Sequence, residues 1–170
     1  TASMYKEKGD SAFKCGEYAK AIANYSKIFA YINGITNNNS MANIMLSAEE
    51  IKRREIDETQ KNILEQLNLS SNNNLAASHL KLKNYHKVII YAQKSIKIDD
   101  NNLKANLFLA KAYYNSKDLD LALLYFKKTH KIAPDNKTIV KHIKLIESLI
   151  NNSQIKADKQ LAKKLSKVFM

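Results

Sequence analysis

The chain has 170 residues, among them only three Gly and one Pro. An all-β sandwich or barrel needs a tight turn roughly every 8 to 12 residues and draws on those residue types, so helices are what the composition leaves. Net charge is +12, but the longest unbroken apolar stretch is Leu121 to Phe126, far short of the roughly 18 residues of a membrane-spanning helix.

The length suits one ordinary domain with a proper core. A single Cys, Cys15, cannot form a disulfide within the sequence and points to a reducing, cytoplasmic setting. The chain opens Thr-Ala-Ser, without the charged and apolar regions of a targeting segment, and reads as a piece of a longer protein. Its charge is uneven: from Lys127 to Met170 there are eleven Lys against three acids. Such a basic end attracts nucleic acid, anionic lipid or acidic protein without choosing among them.

In chain order, the first elements are two helices, one through Lys6-Glu-Lys-Gly-Asp-Ser-Ala-Phe13 and one through Tyr18-Ala-Lys-Ala-Ile-Ala-Asn-Tyr25, joined at Cys15-Gly16. Asn37 to Ser40 reads as loop, and Ser47-Ala-Glu-Glu50 is a capping box that should start a helix. Ile51, Ile56, Ile63, Leu64, Leu67 and Leu75 follow at mostly helical spacing, which predicts one long helix from about Ala48 to about Leu82. The rival reading breaks it at the polar cluster Asn72-Asn-Asn74.

Beyond that point the chain repeats itself. Asn72 to Ile98 and Asn106 to Ile132 match at a period of 34, with Leu75 over Leu109, Ala76 over Ala110, His79 over Tyr113 and Ala92 over Phe126. The segment from Tyr5 supplies a third copy, with Gly9 aligned to Ala76 and Ala110. A small residue at the eighth and twentieth positions (Gly9, Ala76, Ala110; Ala21, Ala122) lets paired helices approach, and a ring at the twenty-fourth (Tyr25, Phe126) fills the groove between pairs. Val88 and Ala92 fit more loosely. Repeat register favours the unbroken helix across Asn72 to Asn74. Turns at Lys83-Asn84 and Ser116-Lys117 close the second and third pairs, and Pro134 lies just past the last. Ile139, Ile143, Ile146 and Ile150 then form the stripe of a capping helix, with Gln154 to Phe169 continuing it as a tail.

On these residues the chain resembles a tetratricopeptide repeat domain of the co-chaperone type, most like the C-terminal repeat domain of large FKBP-type immunophilins, which also carry extra residues between their first two repeats. Here the first-to-second spacing is 67 and the second-to-third 34. The resemblance implies an all-α, right-handed superhelical solenoid of three helix-turn-helix repeats and a capping helix. It covers residues 1–170 as a single domain: repeat one about 2–33, insertion and helix extension about 34–68, repeat two about 69–102, repeat three about 103–134, and capping helix with basic tail about 135–170.

Catalytic and cofactor chemistry find little support. With glycines only at Gly9, Gly16 and Gly34, neither a phosphate-cradling loop nor a dinucleotide fingerprint can be written. His79, His86, His130 and His142 lack metal-ligand spacing, and Cys15 has neither a second thiol nor a specified cationic pocket. No catalytic residue, metal or cofactor is expected, and no nucleic-acid module accompanies the lysines. Any prolyl isomerase activity would belong to a domain outside these residues.

The family's binding site is implied by the resemblance alone. In co-chaperone members, five groove positions clamp the terminal carboxylates of an acidic peptide ending Glu-Glu-Val-Asp, the tail of cytosolic heat-shock chaperones, the 90-kDa class favoured here over the 70-kDa class. Lys6, Asn74 and Lys104 occupy three of those positions with the family's residue type. Asp10 stands where the family has Asn, and Phe108 where it has Arg. Charge-assisted bonds from ammonium and amide donors explain such a clamp. A carboxylate at Asp10 opposes it, by on the order of 4 kcal/mol at about 4 Å and an effective dielectric near 20, before relaxation and salt screening. Phe108 removes a bidentate donor, and Lys111, one turn on, restores some positive charge. A clamp altered to read a different C-terminal or internal peptide is the alternative. Finally, Leu161, Leu165, Val168 and Phe169, flanked by Lys163, Lys164 and Lys167, make a basic amphipathic end. In the related immunophilins such an extension is a proposed calmodulin site.

Overall fold

The computed structural model describes residues 1–37 and 57–168. Among them seven helices follow one another: α1 (Ala2–Lys14), α2 (Tyr18–Asn37), α3 (Glu58–Lys81), α4 (Tyr85–Ile98), α5 (Leu103–Asn115), α6 (Leu119–Ile132) and α7 (Lys137–Val168). Each packs on its neighbours in sequence, and α3 also meets α5. The result is an all-α solenoid of three helix-turn-helix units closed by α7.

Three of the turns share one geometry. Gly16, Lys83 and Lys117, equivalent in the repeat, have positive φ of 78°, 58° and 68°. At each the chain closes with the same two bonds, Gly16 N to Phe13 O and Glu17 N to Ala12 O in the first, Lys83 N to Leu80 O and Asn84 N to His79 O in the second, Lys117 N to Tyr114 O and Asp118 N to Tyr113 O in the third. These are Schellman closures, which satisfy helix-terminal carbonyls through a residue in the left-handed region. Asn84 and Asp118 then cap α4 and α6, accepting from Lys87 N and Leu121 N. One short segment thus ends a helix and starts the next, and the hairpin follows.

The small and large positions pack as their spacing requires. Ala21, Leu75, Ala76, Val88, Ala92, Leu109, Ala110, Ala122 and Phe126 are fully buried, and Tyr25 nearly so. Gly9 faces Tyr25 so closely that a Cβ there would lie 2.7 Å from Cδ1 and 2.9 Å from Cζ of the ring. Three core clusters run along the stack, around Tyr25 and Ile28, around Val88 and Leu109, and around Phe126, Ile139 and Ile146. Ile143 and Ile150 pack on the last of these, so α7 covers the end of the array.

Two expectations are corrected. The long helix does not start near Ala48: α3 begins at Glu58, because Asp57 takes an extended conformation and its side chain accepts from Gln60 N at 2.6 Å. The capping box Ser47 to Glu50 lies outside the described residues. Asn37, read as loop, ends α2, while 38–40 lie outside the described residues. Across Asn72 to Asn74, α3 is unbroken, as register favoured. Asn72 donates to Asn68 O and Oδ1, Asn73 to Asn102 Oδ1 and Asn74 to Asp10 Oδ1, so side chains that usually compete with a helix are spent on side-chain and tertiary bonds.

Candidate functional site

The first helices of the three units, α1, α3 and α5, adjoin along one side of the stack. Asn74 on α3 reaches Asp10 on α1, and Asn73 on α3 reaches Asn102, the N-cap of α5, at 3.1 Å. Asn102 is itself anchored, accepting from Ala105 N and donating to Asp99 Oδ2. This side carries two adjoining pockets that share Asn74.

The pocket between α1 and α3, about 180 Å³, is lined by Asp10, Phe13, Lys14, Tyr25, Asn74 and Ala77. One of its lining groups, the Asp10 carboxylate, gathers three donors. Oδ2 accepts from Lys6 Nζ at 3.1 Å, and Oδ1 accepts from the Tyr25 hydroxyl at 2.7 Å and from Asn74 Nδ2 at 3.4 Å. Three helices therefore meet at one carboxylate. Burial, then the hydrogen bond to Asp10 and its negative charge, push the Tyr25 hydroxyl well above the usual tyrosine range, so it stays a donor. The Lys6 and Asp10 side chains are 45% and 37% exposed, which makes this ion pair a weak fastener.

The second pocket, about 370 Å³ between α3 and α5, is mostly polar in its residues: Gln66, Ser70, Asn73, Asn74, Asn102 and Lys104, with Leu69 and Leu103. Lys104 is exposed. The amides offer both donors and acceptors along α3, and Lys104 adds a cation at the α5 edge, an arrangement suited to a peptide backbone with acidic side chains.

The other sequence-expected residues fall elsewhere. Phe108 packs against the core cluster of Val88, Ala92 and Leu109 and lines neither pocket. Lys111 is half-buried on α5, also outside both. On the tail, Leu161, Lys163 and Lys164 are exposed on α7. The side chains of Leu165, Lys167 and Val168, and all of Phe169, lie outside the described residues. Sequence reasoning took Tyr25 only as a groove-filling ring and missed its hydroxyl. The signal was there, since Ala92 and Phe126 at the equivalent positions have no hydroxyl to offer. It also missed Gln66, Ser70, Asn73 and Asn102, which become neighbours only when α3 and α5 pack.

Residues 69–102 and 103–136 each match the family model of the tetratricopeptide repeat. The fold is that of a tetratricopeptide repeat domain. Among solved structures with this repeat fold is the C-terminal domain of a putative FK506-binding protein of Plasmodium falciparum, 25% identical, covering 91% of each chain with a TM-score of 0.68. The Hsp90 co-chaperone Cns1 of Saccharomyces cerevisiae is 23% identical over 98% of this chain and 44% of its own, with a TM-score of 0.69. The second tetratricopeptide domain of human RPAP3, solved with an HSP70 peptide, is 20% identical over 86% of this chain and 98% of its own, with a TM-score of 0.61. No curated protein sequence matches significantly. Tetratricopeptide stacks are interaction scaffolds whose hollow side binds partners. Among the described residues, no group of three His, Cys, Asp or Glu is placed to hold a metal, and no helix is long and apolar enough to cross a membrane.

Proposed function

We propose that this chain is the peptide-binding module of a cytoplasmic co-chaperone and that its α1/α3/α5 side receives the acidic C-terminal tail of a heat-shock chaperone, the 90-kDa class ahead of the 70-kDa class. Asn74 carries the reading: it joins the two pockets, with Lys6 and Asp10 on one side and Lys104 on the other. A peptide laid along α3 would meet the polar side chains Gln66, Ser70 and Asn74 and the Lys104 cation at the third-repeat end. The likeness to the FK506-binding protein domain supports an immunophilin parent, with any prolyl isomerase activity in a separate domain. The RPAP3 domain with its HSP70 peptide and the Hsp90 co-chaperone support the ligand class.

Calorimetric titration with Met-Glu-Glu-Val-Asp tests this reading. Wild type binds, and Lys104→Ala weakens binding about tenfold or more, the loss of one charge-assisted bond worth roughly 1.5–3 kcal/mol. Equal affinity for wild type and Lys104→Ala would place the peptide elsewhere, and no binding would sink the proposal.

A further inference from the structure

The two ends of the groove are not alike. Lys104 stands exposed at the third-repeat end, with no ion pair among the described residues. At the first-repeat end Lys6 is already matched, because Lys6, Tyr25 and Asn74 all donate to Asp10, while Lys14, exposed on the same pocket, has no ion pair among the described residues. A ligand carboxylate seeking Lys6, Tyr25 or Asn74 would have to displace the Asp10 carboxylate or share its donors at close range, where two like charges repel.

Asp10 is held in that role by packing as well as by hydrogen bonds. The Tyr25 ring lies against Gly9 with no space for a Cβ between them, and it is only 2% exposed. Its hydroxyl therefore cannot swing away, and the donor it offers remains committed to Asp10 Oδ1. Beyond the carboxylate the pocket continues along Phe13, Lys14 and Ala77, leaving room for a peptide to run past Asp10.

We infer that Asp10 is a built-in occupant of the carboxylate position: the groove reads the acidic side chains of a peptide through Lys104 and Lys14 and is indifferent to whether that peptide ends in a free carboxylate. Asp10 is thus the residue that sets specificity, turning a reader of chain ends into a reader of acidic segments. This rests on the groove being the acidic-peptide site proposed above.

The test is a titration of wild type, Asp10→Asn and Asp10→Ala with Met-Glu-Glu-Val-Asp, once as the free acid and once as the C-terminal amide, with helix content checked by circular dichroism. Wild type should bind both within about threefold, whereas each variant should prefer the free acid by about tenfold or more. Asparagine keeps an acceptor for Tyr25 while releasing Lys6, and alanine, a strong helix former, removes the carboxylate without adding an amide. A tenfold or larger free-acid preference in wild type overturns the role of Asp10 and leaves the groove reading intact, as does the absence of any gain in both variants. Failure of both peptides to bind any of the three proteins overturns the groove reading and this inference with it.

Discussion

At the scale of single residues, Gly9 and Tyr25 form one device. A glycine inside a helix costs roughly 0.5–1 kcal/mol relative to alanine, so its place in α1 needs a local cause. The cause is the Tyr25 ring, which occupies the space a Cβ would take. Because the ring is buried and its hydroxyl is bonded to Asp10, it cannot retreat without giving up that bond. Gly9→Ala should therefore destabilise the domain by about 1–2 kcal/mol in urea unfolding, the overpacking cost exceeding the gain in helix propensity. The double variant Gly9→Ala with Tyr25→Leu should recover part of the loss. A stabilising Gly9→Ala would mean that the ring shifts freely, and that Asp10 is not locked. The small-against-large pairing was legible from repeat spacing alone. The hydroxyl bond was not, since it joins residues fifteen apart through a close approach that periodicity does not describe.

At the scale of elements, the three hairpins show how one turn is written twice in a costly residue and once in an inexpensive one. Gly16 takes positive φ freely, while Lys83 and Lys117 hold it with a side chain attached. A non-glycine residue in the left-handed region costs roughly 1–2 kcal/mol, set against the larger entropy glycine loses on folding. Lys117→Gly is expected to raise stability by up to about 1 kcal/mol, read as a higher midpoint in urea with an unchanged slope. Lys117→Val should lower it, because a β-branched residue fits that conformation worst. The turns were visible in the sequence as breaks between repeat halves. The start of α3 was not: the Ser47 capping box is a local signal, and Asp57 caps the helix on the strength of the same kind of local bond. Its passage through three consecutive asparagines could be read only from the repeat register, because their partners Asp10 and Asn102 lie on other helices.

At the scale of the whole molecule, stability should be shared very unequally along α7. Its first half closes the stack: Ile139 and Ile146 are 2% and 0% exposed, and with Ile143 and Ile150 they cover Ala110, Ala122 and Phe126. Lys127 and Glu147 add an ion pair at 2.8 Å between α6 and α7, exposed enough to contribute little. From Asn151 to Lys164 every residue is exposed, Ile155 and Leu161 included. A stack of repeats behaves as a chain of nearest-neighbour interfaces, so losing a cap uncovers the whole face beneath it while losing an overhang uncovers nothing. The chain 1–154 should therefore unfold within about 0.5 kcal/mol of the full sequence. The chain 1–136 loses four isoleucines from the last cluster; the two fully buried ones alone contribute roughly 1.5–3 kcal/mol each. That is a large fraction of the 5–15 kcal/mol typical of a domain, and this truncation should melt far lower or aggregate through the bared Phe126 face. Should 1–154 prove as damaged as 1–136, the overhang has a contact that α7 does not make with the six helices before it. Equal stability of 1–136 and the full chain would mean that α7 is no cap.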